Sequence, residues 1–176
     1  MDYTPLVLKN KGVPCLFAKT TKTGPAEEDW TRQTTEEGEP ITETIHVRFT
    51  NNSISDIEEF FGNLEKWQES LEQKPYNTLR QTLAFALKRS IYDIGEAMLD
   101  GEIVGYSNVI GTAWSIANGV DPIVASRMLS QTIALAEENK KRLAESLAQA
   151  LPDLQTGNSG SDSGPKRANR SKNSGN

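Results

Sequence analysis

The chain has 176 residues, 36% of them hydrophobic, with 19 basic and 24 acidic side chains, one histidine and one cysteine, and a formal net charge of −5. A lone Cys15 excludes an intramolecular disulfide, and one Cys with one His supplies too few ligands for a structural zinc site. The length suits one domain plus tails, and the modest apolar content predicts a small core with disorder at the edges.

Met1-Asp2-Tyr3-Thr4-Pro5 has no basic stretch ahead of an apolar run, so no signal peptide is expected. No apolar segment approaches the ~20 residues that span a bilayer. The expectation is a soluble, cytoplasmic protein without a membrane partner. Four of the 19 basic residues (Lys166, Arg167, Arg170 and Lys172) follow the last acid, Asp162, so the 15 that precede them face all 24 acids, a net of −9. An acidic body argues against a nucleic-acid-binding domain, which shows a clustered basic face. The basic tail, spread through Ser, Asn and Gly, reads as solvated.

In chain order, Pro5 to Leu8 and Val13 to Phe17 flank the turn-prone Asn10-Lys11-Gly12, which predicts a β-hairpin within 1–19. Pro14 lacks a ladder donor, so the second strand is expected to lie at an edge or to begin there. Residues 20–40, rich in Thr, Glu and Gly with Ala26 and Trp30 as their apolar members, read as an acidic flexible loop in which Trp30 is a candidate partner anchor. From Ile41 to Thr50, Ile45, Val47 and Phe49 alternate with His46, Arg48 and Thr50, the pattern of a half-buried strand. Asn51, Asn52 and Ser53 then offer side-chain oxygens to the free N–H groups of a helix start. Ile54, Ile57, Phe60 or Phe61, Leu64, Trp67 and Leu71 follow at helical spacing.

That first helix is expected from about Ser53 to Gln73, ending before Pro75. A second runs from Tyr76–Thr78 to Asp100-Gly101, weakened at Gly95, and a third from about Tyr106 to Asn118, carrying Trp114. Asp121-Pro122 is an N-cap followed by Pro at the first helical position and starts a fourth helix reaching about Leu151. Its second half carries a narrow stripe of Leu143, Leu147 and Leu151, with Glu137/Lys141 and Glu138/Arg142 paired at four-residue spacing. The predicted fold class is mainly α with a small N-terminal antiparallel β element (α+β), about four helices and a disordered C-terminal tail. The domain reading is a hairpin at 1–19, a flexible loop at 20–40, a strand plus helical domain at 41–151, and a disordered basic Ser/Gly/Asn tail at 152–176.

Chemistry is sparse. A nucleophilic Cys15 or Ser needs a positioned base, and His46 is the single histidine, on a polar strand face. The carboxylates lie at solvent-facing helix positions or in the acidic stretch, where nothing raises one pKa for acid–base work. Gly95, Gly101, Gly105, Gly111 and Gly119 are scattered and form no phosphate loop. No catalytic, cofactor-binding or metal-ligating residue is assigned, and a non-enzymatic binding protein is expected. The candidate partner-binding residues are Trp30, Trp67, Trp114, Leu143 and Leu147, the first two indoles after Trp30 being equally suited to a core.

The run from Ile45 to Phe61 resembles the opening of tail assembly chaperones of long-tailed (siphovirus-type) bacteriophages, which place an apolar-x-Phe-Thr-Asn segment ahead of an acidic amphipathic helix. Leu79-Arg80-Gln81-Thr82-Leu83-Ala84-Phe85-Ala86-Leu87 looks like the Leu/Ala-rich second helix of that family, and the likeness extends more loosely from Ile94 to Pro122. It covers roughly 45–150; the segment 3–40 goes beyond the family's minimal pattern. The resemblance implies a short-form chaperone that coats the apolar tape measure protein in the host cytoplasm while tail tube protein polymerises, and that is absent from the mature virion. It also implies possible self-association, and a longer form of the chain made by a −1 ribosomal frameshift. Gly164-Pro165-Lys166 and Ser171-Lys172-Asn173 each admit codons containing a slippery heptamer. The rival readings are a phage structural protein (head–tail connector or minor tail subunit) and a bacterial adaptor whose basic tail touches nucleic acid.

Overall fold

A computed structural model describes residues 1–150. The predicted disordered tail and Leu151 lie outside the described residues. Among the described residues the chain forms α1 (Pro5–Asn10), β1 (Val13–Ala18), β2 (Thr20–Lys22), β3 (Trp30–Arg32) and β4 (Thr42–Val47). Six further helices follow: α2 (Asn51–Phe61), α3 (Leu64–Gln73), α4 (Pro75–Leu87), α5 (Ile91–Ala97), α6 (Ile103–Ala117) and α7 (Pro122–Ala150). Met1–Leu135 forms one compact unit, and α7 from Ala136 onward belongs to a second.

The class is mainly helical with a small antiparallel β part, as the hydrophobic periods predict, but seven helices replace the expected four or so. The predicted first helix is two, because Gly62, at φ 90°, closes α2 and Asn63 at once caps α3 by accepting from the Lys66 N–H at 2.8 Å. The predicted second helix is also two. Lys88 ends α4 in the left-handed conformation (φ 53°, ψ 44°), and Ser90 caps α5 by accepting from the Tyr92 N–H. At Pro75 and at Asp121-Pro122 the expected boundaries stand, with Asp121 Oδ1 accepting from the Ile123 N–H at 2.7 Å.

The predicted hairpin at 1–19 is corrected as well. Pro5 to Asn10 is a short helix with Pro at its first turn, and β1 pairs instead with β4, antiparallel, from Val13 opposite Val47 to Ala18 opposite Thr42. A four-residue apolar run fits either period, and Pro5 has the fixed φ of a helix start and no donor for a ladder. Residues 20–40 are likewise not an unstructured loop: β2 and β3 form a second antiparallel pair, Thr20 opposite Arg32 and Lys22 opposite Trp30. Backbone bonds from Gln33 N–H to Lys19 O and from Lys19 N–H to Ile41 O join the two pairs end to end.

The core lies between the β1–β4 pair and α2 to α6, with the buried start of α7 added through Ala125 and Leu129. Val13, Phe17, Val47 and Phe49 face Ile57, Leu79, Leu83, Ile94 and Ile110, all buried. The Tyr106 ring lies 5.2 Å from that of Phe17; its hydroxyl donates to Leu16 O and accepts from the Leu99 N–H, both at 2.9 Å. One phenol thus satisfies two backbone groups that secondary structure leaves over.

Candidate functional site

Of the five candidate partner-binding residues, Trp67 and Trp114 belong to the core. Trp67 is 3% exposed and its indole Nε1 donates to Thr82 Oγ1 at 2.9 Å. Its ring lies 4.6 Å from half-buried Trp114, whose other aromatic neighbour, Phe49, meets it edge-on at 5.4 Å. These contacts use both indoles to join α3, α4, α6 and the end of β4, with Trp67 buried and Trp114 keeping part of its surface exposed.

Trp30 sits on β3, half-buried, and folds back towards α4 and α5, where it lines a cavity of about 430 Å³ with Phe85 and Ile91. The hairpin that carries it is held by charge. Arg32 donates through Nε to Glu96 O and through Nη2 to Met98 O, each at 2.8 Å, and its Nη1 meets Asp100 at 3.2 Å. Those carbonyls are the unpaired end of α5, which a cation satisfies well. Beside it, Arg89 grips buried Asp93 through two bonds of 2.6 Å, and Thr20 Oγ1 donates to Asp93 Oδ1 at 2.5 Å. A segment that reads as solvated and acidic is thereby fixed to the helical body.

Leu143 and Leu147 are 63% and 57% exposed. The flanking charges pair among themselves, Arg142 with Glu138 at 2.5 Å and Lys141 with Glu145 at 4.0 Å. Ile123, Val124, Met128 and Leu135 are the other exposed large aliphatics of α7. Phe60 is exposed on α2, although the sequence pattern placed it or Phe61 inward; half-buried Phe61 takes the inner place.

A larger cavity, about 610 Å³, opens where β4 turns into α2. Thr50 caps this helix, accepting from the Ser53 N–H at 3.2 Å while Ser53 Oγ accepts from the Thr50 N–H at 2.8 Å. Asn51 and Asn52, expected to cap, are the first helical residues instead and line the cavity. Its apolar wall includes Val13, Val47, Phe49, Ile54 and Ile116, and its charged members are Lys9, Arg48 and Lys88. Gly12 (φ 104°) makes the close approach on one side, since a Cβ there would fall 2.5 Å from Val47 O. Sequence reasoning missed this site because its three cations stand far apart in the chain and each reads singly as a solvated charge.

Burial pushes the Cys15 thiol up to about 12 and raises the Tyr106 phenol, the latter against the opposing effect of its bond from the Leu99 N–H. A thiol so shifted is protonated and inert. His46 is half-buried on β4 opposite Pro14. Among the described residues no three His, Cys, Asp or Glu side chains converge to hold a metal ion, and no helix is long and apolar enough to cross a membrane. No family model, no curated protein and no solved structure matches the chain.

Proposed function

We propose that this chain is a binding protein of the tail assembly chaperone kind, which covers apolar helices of a tape measure protein and keeps it soluble during tail tube polymerisation in the host cytoplasm. The observation that carries the reading is the exposure of Leu143 and Leu147, four residues apart and so on one side of α7. Exposed apolar surface of this kind marks contact with a partner, and an amphipathic helix covers another through such a row. The acidic body, net −9 before the basic tail, favours solubility when many copies coat one client. The resemblance over 45–150 supplies the client class. A longer frameshifted form of the chain and self-association complete the proposal.

The test is co-expression with a tape measure protein, which the reading expects as a large coiled-coil-patterned reading frame immediately downstream. The chain raises that protein's soluble fraction, and the Leu143→Lys/Leu147→Lys variant, still folded by circular dichroism, does not. An unchanged soluble fraction with the unmodified chain overturns the reading. Recovery of the chain in purified virions would favour a connector or minor tail subunit instead.

A further inference from the structure

We infer that the cavity at the β4–α2 junction is a docking site for a peptide segment of a partner protein in which carboxylate side chains stand next to aliphatic ones. The inference does not depend on the chaperone reading, because the site lies in the Met1–Leu135 unit and uses none of the α7 aliphatics. Its first support is charge. The chain carries 24 acids, yet no Asp or Glu lines this cavity, while Lys9, Arg48 and Lys88 all do. None of the three forms an ion pair among the described residues, whereas Arg32 and Arg89, a short distance away in sequence, are committed to Asp100 and Asp93. The cations come from three separate elements, the end of α1, the β4–α2 junction and the end of α4. Lys88 is itself the single non-glycine residue with positive φ among the described residues.

The second support is the wall. Half-buried Ile54 and Ile116 give an aliphatic lining beside the cations, backed by buried Val13 and Phe49, and about 610 Å³ accommodates several side chains. Asn51 and Asn52 make no side-chain hydrogen bond among the described residues and face the same space. A primary amide both donates and accepts, which suits the N–H and C=O of a peptide backbone; a fatty acid has no such groups beyond its head. Cations at the rim attract the segment and set its orientation, and the lining holds its aliphatic side chains.

The experiment uses the full chain and a fluorescein-labelled synthetic peptide of repeating Leu-Glu-Glu units, followed by fluorescence anisotropy at low and moderate salt. Binding weakens as salt rises, and repeating Leu-Gln-Gln and Leu-Lys-Lys peptides bind at least about tenfold more weakly. Reversing the rim with Arg48→Glu/Lys88→Glu reduces affinity by about tenfold or more. Ala117→Trp, at an exposed position on the cavity edge, blocks the space without altering charge or core and also abolishes binding. The inference is overturned if the Leu-Glu-Glu peptide does not bind, if Leu-Lys-Lys binds equally, or if Ala117→Trp leaves binding unchanged while the variant melts like the parent. Binding of dodecanoate by calorimetry, with no peptide binding, would overturn it in favour of a small amphipathic acid.

Discussion

The indole Nε1 of Trp67 donates to Thr82 Oγ1 at 2.9 Å with both side chains withdrawn from solvent. This bond ties α3 to α4 inside the core, and it leaves no polar atom unsatisfied on either side. Thr82→Val keeps the shape and strands the indole N–H, so unfolding free energy falls by about 1–3 kcal/mol. Trp67→Phe/Thr82→Val removes both partners, and the Thr82 replacement costs less in that background than in the parent. Guanidinium melts of the four proteins read this as a double-mutant cycle.

Arg89→Ala leaves the Asp93 carboxylate buried without its guanidinium. The loss is about 3–5 kcal/mol, larger than for removal of the exposed Arg142–Glu138 pair, which changes stability by less than about 1 kcal/mol. Because Thr20 shares the Asp93 oxygen, the β2–β3 hairpin loosens as well, and limited proteolysis between Lys22 and Trp30 reports it.

Alkaline pH destabilises the protein through Cys15. The thiol titrates at about 12 when folded against an ordinary 9.0. Between those values the unfolded chain has released a proton that the folded one retains, so the stability present below pH 9 is lost as pH rises towards 12. The slope is up to about 1.4 kcal/mol per pH unit. Tyr106 acts in the same direction, so the contrast with Cys15→Ala isolates the thiol. From about pH 8 to about pH 10.5 the parent loses roughly 2 kcal/mol more than that variant. In the folded protein Cys15 also resists a thiol reagent until denaturant is added.

Gly12→Ala strains the α1–β1 turn on two counts, a φ of 104° and a Cβ placed 2.5 Å from Val47 O. Stability drops by at least about 2 kcal/mol by thermal melting. Gly38→Ala, at φ 85° but with open space around it, costs about 1 kcal/mol. Equal losses at the two sites would mean the contact with β4 contributes nothing.

Local chemistry made part of this fold legible. The period change at Ile45–Phe61, Pro75, and Asp121-Pro122 each settle a boundary with residues adjacent in sequence, and all three stand in the structure. The helix breaks at Gly62-Asn63 and Lys88 were not legible, because the apolar spacing runs on across them. A cap of two or three residues decides the matter against a pattern of twenty. Pro5 to Leu8 was too short to show a period. Residues 20–40 were misjudged because their order comes from Arg89, Asp93 and the free carbonyls of α5, far away in the chain. At the candidate sites, Leu143 and Leu147 were legible as a stripe. Trp67 and Trp114 carried no signal distinguishing core from surface, and the Lys9–Arg48–Lys88 cavity exists only once three elements meet.

Arg32 and Tyr106, with Thr20, also set an order of events. Leu16 is bonded to a phenol 90 positions later, Thr20 to a carboxylate 73 positions later, and Arg32 to carbonyls 64 and 66 positions later. Local helical contacts close rapidly, and distant ones carry the loop entropy of all the chain between them. During synthesis the β-rich segment therefore leaves the ribosome before its helical partners and completes these bonds only after α5 and the start of α6 have been made.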